Sequence, residues 1–230
     1  MTKTVTAEIN SLIKELPWIA TYSSFSLNYK KSPFEGDFLR KVKNNIFLGL
    51  CISKHPSQLG DFAWQNIRGD RNLQRWILGE ESRLRREYPR IWEFYQGWYI
   101  TDIIKGDEVV DDLWKKSQMD KDIFQKSGFV IQNLSPEVMQ KCLNYFRTEQ
   151  EIFKPEIVIV FGGDAWSVSK KMLNIKPLQI NFLNLPHRKI ECFSENSTEF
   201  YSVRHYSMGN WINQLYQDLI GIYGIYRQPT

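Results

Sequence analysis

Four segments of this chain gather residue types able to do chemistry. His205-Tyr206-Ser207-Met208 offers an imidazole beside a hydroxyl, and an imidazole titrates at about pH 6.5, close to neutrality. Asp102 is a carboxylate inside an otherwise apolar run, Tyr-Ile-Thr-Asp-Ile-Ile, and an ionised carboxylate only accepts hydrogen bonds. Gly162-Gly163-Asp164-Ala165-Trp166 reads as a tight turn into a helix whose N-terminus can hold an anion. Ser53-Lys-His-Pro, followed by Asp61-Phe62-Ala63-Trp64, adds a hydroxyl, a carboxylate and two large rings. Each also has a plain structural reading: His205 as a hydrogen-bonded structural residue, Asp102 as a helix cap, Trp64 as core. The Gly-Gly turn lacks the spacing of a dinucleotide fingerprint or a P-loop.

The elements that must position these residues follow from periodicity. Ile46–Ile52, Gly97–Ile104 and Pro155–Phe161 are short, nearly continuous apolar runs, and Glu199–His205 is a fourth strand. Leu178–Leu183 reads as an edge strand or a connection. Helical stripes occupy Glu137–Ile152, Asp164–Leu173 and Asn210–Tyr223. Apolar strands separated by helices predict a mainly parallel sheet covered on both sides. In such sheets ligands sit outside the carboxyl ends of the strands, where the four segments fall.

Composition bounds the class. The 230 residues carry 30 basic against 26 acidic side chains, and a net charge of +4 permits an anionic partner without demanding one. Seven arginines (68, 71, 75, 83, 85, 86, 90) stand against four acids between Arg68 and Arg90. They form either a solvated face with internal ion pairs or a phosphate-gripping surface. Hydrophobic content of 42% supports a core. No apolar run reaches the roughly 20 residues that span a bilayer, and Met1–Lys14 lacks the apolar block of a signal peptide. Three widely spaced cysteines (Cys51, Cys142, Cys192) build neither a disulfide framework nor a metal cluster. The expectation is a cytoplasmic, monomeric protein with one domain over 1–230, an N-terminal helical or irregular segment over 1–40, and no metal or cofactor.

The order of these pieces resembles the uracil-DNA glycosylase superfamily from about Ile46 to Trp211. Lys154-Pro-Glu-Ile-Val-Ile-Val-Phe-Gly-Gly-Asp-Ala165 is similar to the family's Lys-Pro-x-Val-Ile-Val-x-x-Gly-x-x-Ala. His205-Tyr206-Ser207 stands where the family has His-Pro-Ser, and Asp102 where its middle strand carries a base-reading asparagine. Gly49-Leu50-Cys51-Ile52 stands where the first strand ends in Gly-x-Asn/Asp-Pro. The resemblance implies a three-layer α/β/α fold around a central, mainly parallel four-stranded sheet. It also implies a partner, double-stranded DNA, from which one base is flipped.

Residue by residue, the resemblance makes His205 the group that stabilises charge on the departing base. Trp64, or failing it Phe62, is the stacking ring, since Trp64 lies 13 positions after Cys51. Cys51 and Ser53 line the base pocket, and Ser207 and Met208 supply a phosphate contact and an apolar wedge. Gly162, Gly163, Arg68 and Arg71 face DNA. Two departures matter. Cys51 occupies the place of the water-activating residue, leaving Asp61 or Asp164 as replacements. Asp102 replaces an amide that both donates to and accepts from uracil; a carboxylate instead accepts from an exocyclic amine such as cytosine N4. A protonated Asp102 would regain a donor and uracil reading. Excising ordinary cytosine would destroy a host genome, so the expected substrate is a 5-substituted cytosine, with antiviral defence the coherent role. Conventional uracil repair, a catalytically weak DNA-binding member, and a domain binding a small phosphate ligand at Gly162-Gly163 stand as alternatives.

Overall fold

The computed structural model describes residues 23–25, 43–50, 72–117, 131–206 and 211–226. Seven strands form one mixed sheet: β1 (Ser23–Phe25), β2 (Lys43–Gly49), β3 (Trp98–Asp102), β4 (Ile157–Phe161), β5 (Asn181–Asn184), β6 (Lys189–Glu195) and β7 (Thr198–Val203). Their order is β1-β3-β2-β4-β7-β6-β5. The four strands expected from the apolar runs are neighbours and run parallel, β3 and β4 flanking β2 and β7 flanking β4. Ile46–Gly49, all of β3 and all of β4 are buried, as strands covered on both faces must be.

The expected four-stranded sheet is corrected in extent. β1 adds antiparallel to β3, while β6 and β5 extend the other side antiparallel to β7. Within Lys189–Glu195 only Ile190 and Phe193 are buried, so it presents no continuous apolar run. β6 and β7 are joined by Asn196 and Ser197, at φ 50° and 65°. A two-residue loop with both φ positive is the hairpin turn whose twist matches the strands; with Ser in place of the usual Gly, it hides in the sequence. Leu178–Leu183 resolves into a 3-10 turn (Pro177–Gln179) and the edge strand β5.

Helices α1 (Arg83–Glu87), α2 (Pro89–Tyr95), α3 (Asp107–Ser117), α4 (Pro136–Phe153), α5 (Gly163–Met172) and α6 (Ile212–Tyr226) complete the described elements, with a π-helical turn at Gln74–Leu78. Ser135 caps α4 by accepting from the Val138 N–H at 3.2 Å, and Pro136 opens its first turn. Lys154 ends it in the left-handed region at φ 45°.

The two faces of the sheet carry different aromatic layers. On one, Phe47 stacks on Phe161 at 5.3 Å and meets Tyr95 of α2, whose hydroxyl donates to the Leu219 carbonyl of α6 at 2.7 Å. On the other, Tyr99 stacks on Phe153 of α4 at 4.1 Å, and Trp166 of α5 lies 5.0 Å from Phe193. Helices thus cover both sides. No helix among the described residues is long and apolar enough to cross a membrane.

Candidate functional site

The chain leaves β2 for β3 on one side and later places β4 on the other. Connections that diverge this way open a crevice at the strand carboxyl ends. Along that edge, in spatial order, stand Asp102, Gly49, Gly162 and the residues following Val203. Neighbouring strands are about 4.8 Å apart, so the ends of β3 and β7 are separated by about 14 Å. Side chains reaching inward from both ends can bracket a planar ring.

At the first end, Asp102 is 2% exposed and pairs in register with Gly49. The ladder continues past both strands, with the Ile103 and Ile104 N–H groups donating to the Gly49 and Leu50 carbonyls at 2.9 Å each. A Cβ at Gly49 would lie 2.2 Å from Asp102 Oδ1. The carboxylate therefore leans over the end of β2, toward the crevice, in space that only glycine leaves open.

Behind Asp102 lies a buried polar cluster that sequence reading missed. Lys105 and Glu149 of α4 form an ion pair with neither side chain exposed. Lys105 Nζ also donates to Thr101 Oγ1 at 2.6 Å, while Glu149 Oε1 accepts from the Thr101 and Tyr99 hydroxyls at 2.8 Å each. Burial pushes the Glu149 carboxyl up and the Lys105 ammonium down; each partner's charge opposes the shift, and Asp102 also favours the charged lysine. Nothing in the spacing of residues 105 and 149 pairs them in advance.

At the other end, Gly162 has φ 87°, and its N–H donates to the Val203 carbonyl at 2.9 Å. A Cβ there would meet His205 Cβ at 3.2 Å and Cδ2 at 3.3 Å, so the imidazole lies close over Gly162. The ring stacks on Tyr206 at 4.4 Å, and Tyr206, 5% exposed, packs edge-on against Phe161 at 5.0 Å. Burial holds the His205 pKa below its usual value, against the opposing charge of Asp164. Burial therefore favours the neutral imidazole, and Asp164, exposed in the first turn of α5, is the carboxylate that bears on it. Gly163 is exposed, with open space where a Cβ would stand.

A second network supports the loop that carries His205. Asp218 of α6 is fully buried, accepts from Arg188 Nε at 2.8 Å and again from its Nη2, and meets His187 Nε2 at 2.8 Å. The same carboxylate accepts from the Arg204 backbone N–H at 3.3 Å.

The described arginines of that segment, Arg75 to Arg90, mostly contact its own residues. Arg83 pairs with Glu87 at 2.7 Å and donates to Asn213; Arg85 and Arg86 donate to the Glu80 and Glu81 carbonyls; Arg75 lies over Trp76. These contacts match the solvated-face reading. Arg90 lines a cavity of about 640 Å³ with Lys43, Glu93, Phe94 and Tyr223. Lys43 opens β2, so this cavity lies at the sheet edge opposite Asp102 and His205.

Cys51, Ser53, Asp61, Phe62, Trp64, Arg68, Arg71, Ser207 and Met208 lie outside the described residues. Among the described residues, no group of three or more His, Cys, Asp or Glu side chains is arranged to hold a metal. No protein-family model matches the chain, and the comparison with curated proteins finds no match.

Proposed function

We propose that this protein is a DNA N-glycosylase that flips a 5-substituted cytosine from double-stranded DNA and excises it, acting as a cytoplasmic monomer. The observation that carries the reading is the placement of Asp102 and His205 at two ends of one crevice, each leaning over a glycine that makes room for it. The parallel β3-β2-β4-β7 arrangement supports it, because it brings together the four strand ends that the uracil-DNA glycosylase resemblance requires. In this reading Asp102 accepts from the exocyclic amine of the flipped base. A water oxygen bonds to C1′ of the deoxyribose as the C1′–N bond breaks; the electron pair of that bond goes to the base, and the proton the water gives up goes to the Asp164 carboxylate. His205, whose burial favours the neutral ring, donates a hydrogen bond to the charge that develops there, an interaction strongest near the transition state. In this reading Asp164, the carboxylate whose charge bears on His205, orients that water.

Alkali-sensitive strand cleavage tests the reading on one labelled duplex series carrying cytosine, 5-hydroxymethylcytosine, glucosylated cytosine or uracil at a single site. Cleavage confined to the modified cytosines, and reduced about 10²–10³-fold in His205→Ala, is expected. Asp102→Asn should shift the preference toward uracil. Cleavage at uracil alone by the unaltered protein would return it to base-excision repair. DNA binding with no cleavage of any substrate would leave a non-catalytic member of the same fold.

A further inference from the structure

We propose that the Arg204 guanidinium, braced on the Trp211 indole, is an anchor for a DNA phosphodiester beside the crevice; the inference rests on the glycosylase reading. Arg204 follows β7 directly and precedes His205 in the chain, so both belong to the same strand end. Its backbone is fixed through Asp218, but that carboxylate is spent elsewhere: Arg188 occupies both oxygens and His187 shares one. The buried carboxylate thus pairs with the Arg188 guanidinium and takes only the backbone N–H of Arg204, whose side chain forms no ion pair among the described residues.

The Arg204 guanidinium instead lies 4.3 Å over the Trp211 ring. Its Nε is buried and has no hydrogen-bond partner among the described residues. Trp211 itself is 39% exposed, although large apolar rings are mostly covered in folded proteins. An arginine stacked on an indole keeps its charge and its planar fork of donors. Holding that fork in one orientation lowers the ordering cost of binding an anion. Among the described residues, then, the Arg204 Nε has no acceptor and its charge no counter-ion, and the part-exposed ring beneath it holds the guanidinium for a forked oxyanion. A phosphodiester oxygen pair is such an acceptor.

Fluorescence anisotropy on a labelled, unmodified duplex, with the full chain titrated at several KCl concentrations, tests the anchor. Arg204→Gln is expected to weaken binding several-fold and to reduce the slope of log K against log salt by about one. Arg204→Lys should keep most of the slope, and Trp211→Leu should keep the slope while weakening binding. These two carry the test if Arg204→Gln does not fold, as judged by its thermal melt. An Arg204→Gln variant that folds and retains the original slope overturns the anchor. Stabilisation by inorganic phosphate that depends on Arg204, without any effect on duplex binding, would overturn it in favour of a small anion. Binding of RNA but not DNA also overturns it. Base excision with an unaltered Arg204→Gln slope removes the anchor alone, whereas the slope effect without excision removes the glycosylase reading alone.

Discussion

Gly49 and Gly163 stand on the same sheet edge under opposite constraints. A methyl at Gly49 meets the Asp102 carboxylate, whereas one at Gly163 meets nothing. Gly49→Ala is expected to cost about 1–3 kcal/mol through overpacking and to displace Asp102, removing base discrimination. Gly163→Ala should stabilise the fold by about 0.5 kcal/mol, because alanine narrows the unfolded ensemble at a compatible helical position. Urea unfolding of both variants checks the contrast, and similar midpoints would refute it. His205 gives a pH signature. Its folded pKa is depressed by burial, so folding disfavours the protonated form. The corresponding stability is complete above about pH 6.5 and is lost as pH falls through the lower, folded value. Melts between pH 7.5 and 5 should therefore show a steeper decline in the unaltered protein than in His205→Gln. Asp102 and His205 were both legible as residues, an isolated carboxylate in an apolar run and an imidazole at a strand end. Their companions Lys105, Glu149 and Asp218 were not, since a buried charge looks in sequence like any exposed one.

Among the elements, the hairpin β6–β7 and the contact between β3 and α4 make separate predictions. Ser197 holds φ 65° at the second position of a two-residue turn, where glycine is preferred. Ser197→Gly should raise stability by about 0.5–1 kcal/mol, read as a shift in urea midpoint without a change in slope. Lys105 and Glu149 are 44 positions apart and join the end of β3 to α4. Lys105→Met would leave Glu149 buried without its cation, at a cost of about 3–5 kcal/mol. Replacing both, Lys105→Met with Glu149→Leu, should recover much of that loss; a double variant no more stable than the single one would show that the pair is not the cause. The parallel strands were readable because burial on both faces demands an apolar residue at almost every position. β6 was not, because a strand that buries only Ile190 and Phe193 among polar residues resembles a polar connection when its turn lacks glycine.

For the whole molecule, Phe47 is the junction of the sheet edge and its helical cover. It lies against Phe161, Trp98 and Tyr95 together, and is fully buried. Phe47→Ala should cost about 3–5 kcal/mol. Because Phe161 leads into Gly162 and Trp98 opens β3, both ends of the crevice should be lost in one cooperative step. Coincident transitions by tryptophan fluorescence and far-ultraviolet circular dichroism would bear this out, and separated ones would contradict it. What the sequence determined by itself was the four parallel strands, the three helices α4, α5 and α6, and which polar residues fall at strand ends, since each depends on patterns within a few residues. The tertiary structure decided the rest: the antiparallel additions to the sheet, the lean of Asp102 over Gly49 and of His205 over Gly162, and the commitment of Asp218 to Arg188. These depend on contacts between distant segments, where fit is set by the space that packing leaves, a property that no local window of residues contains.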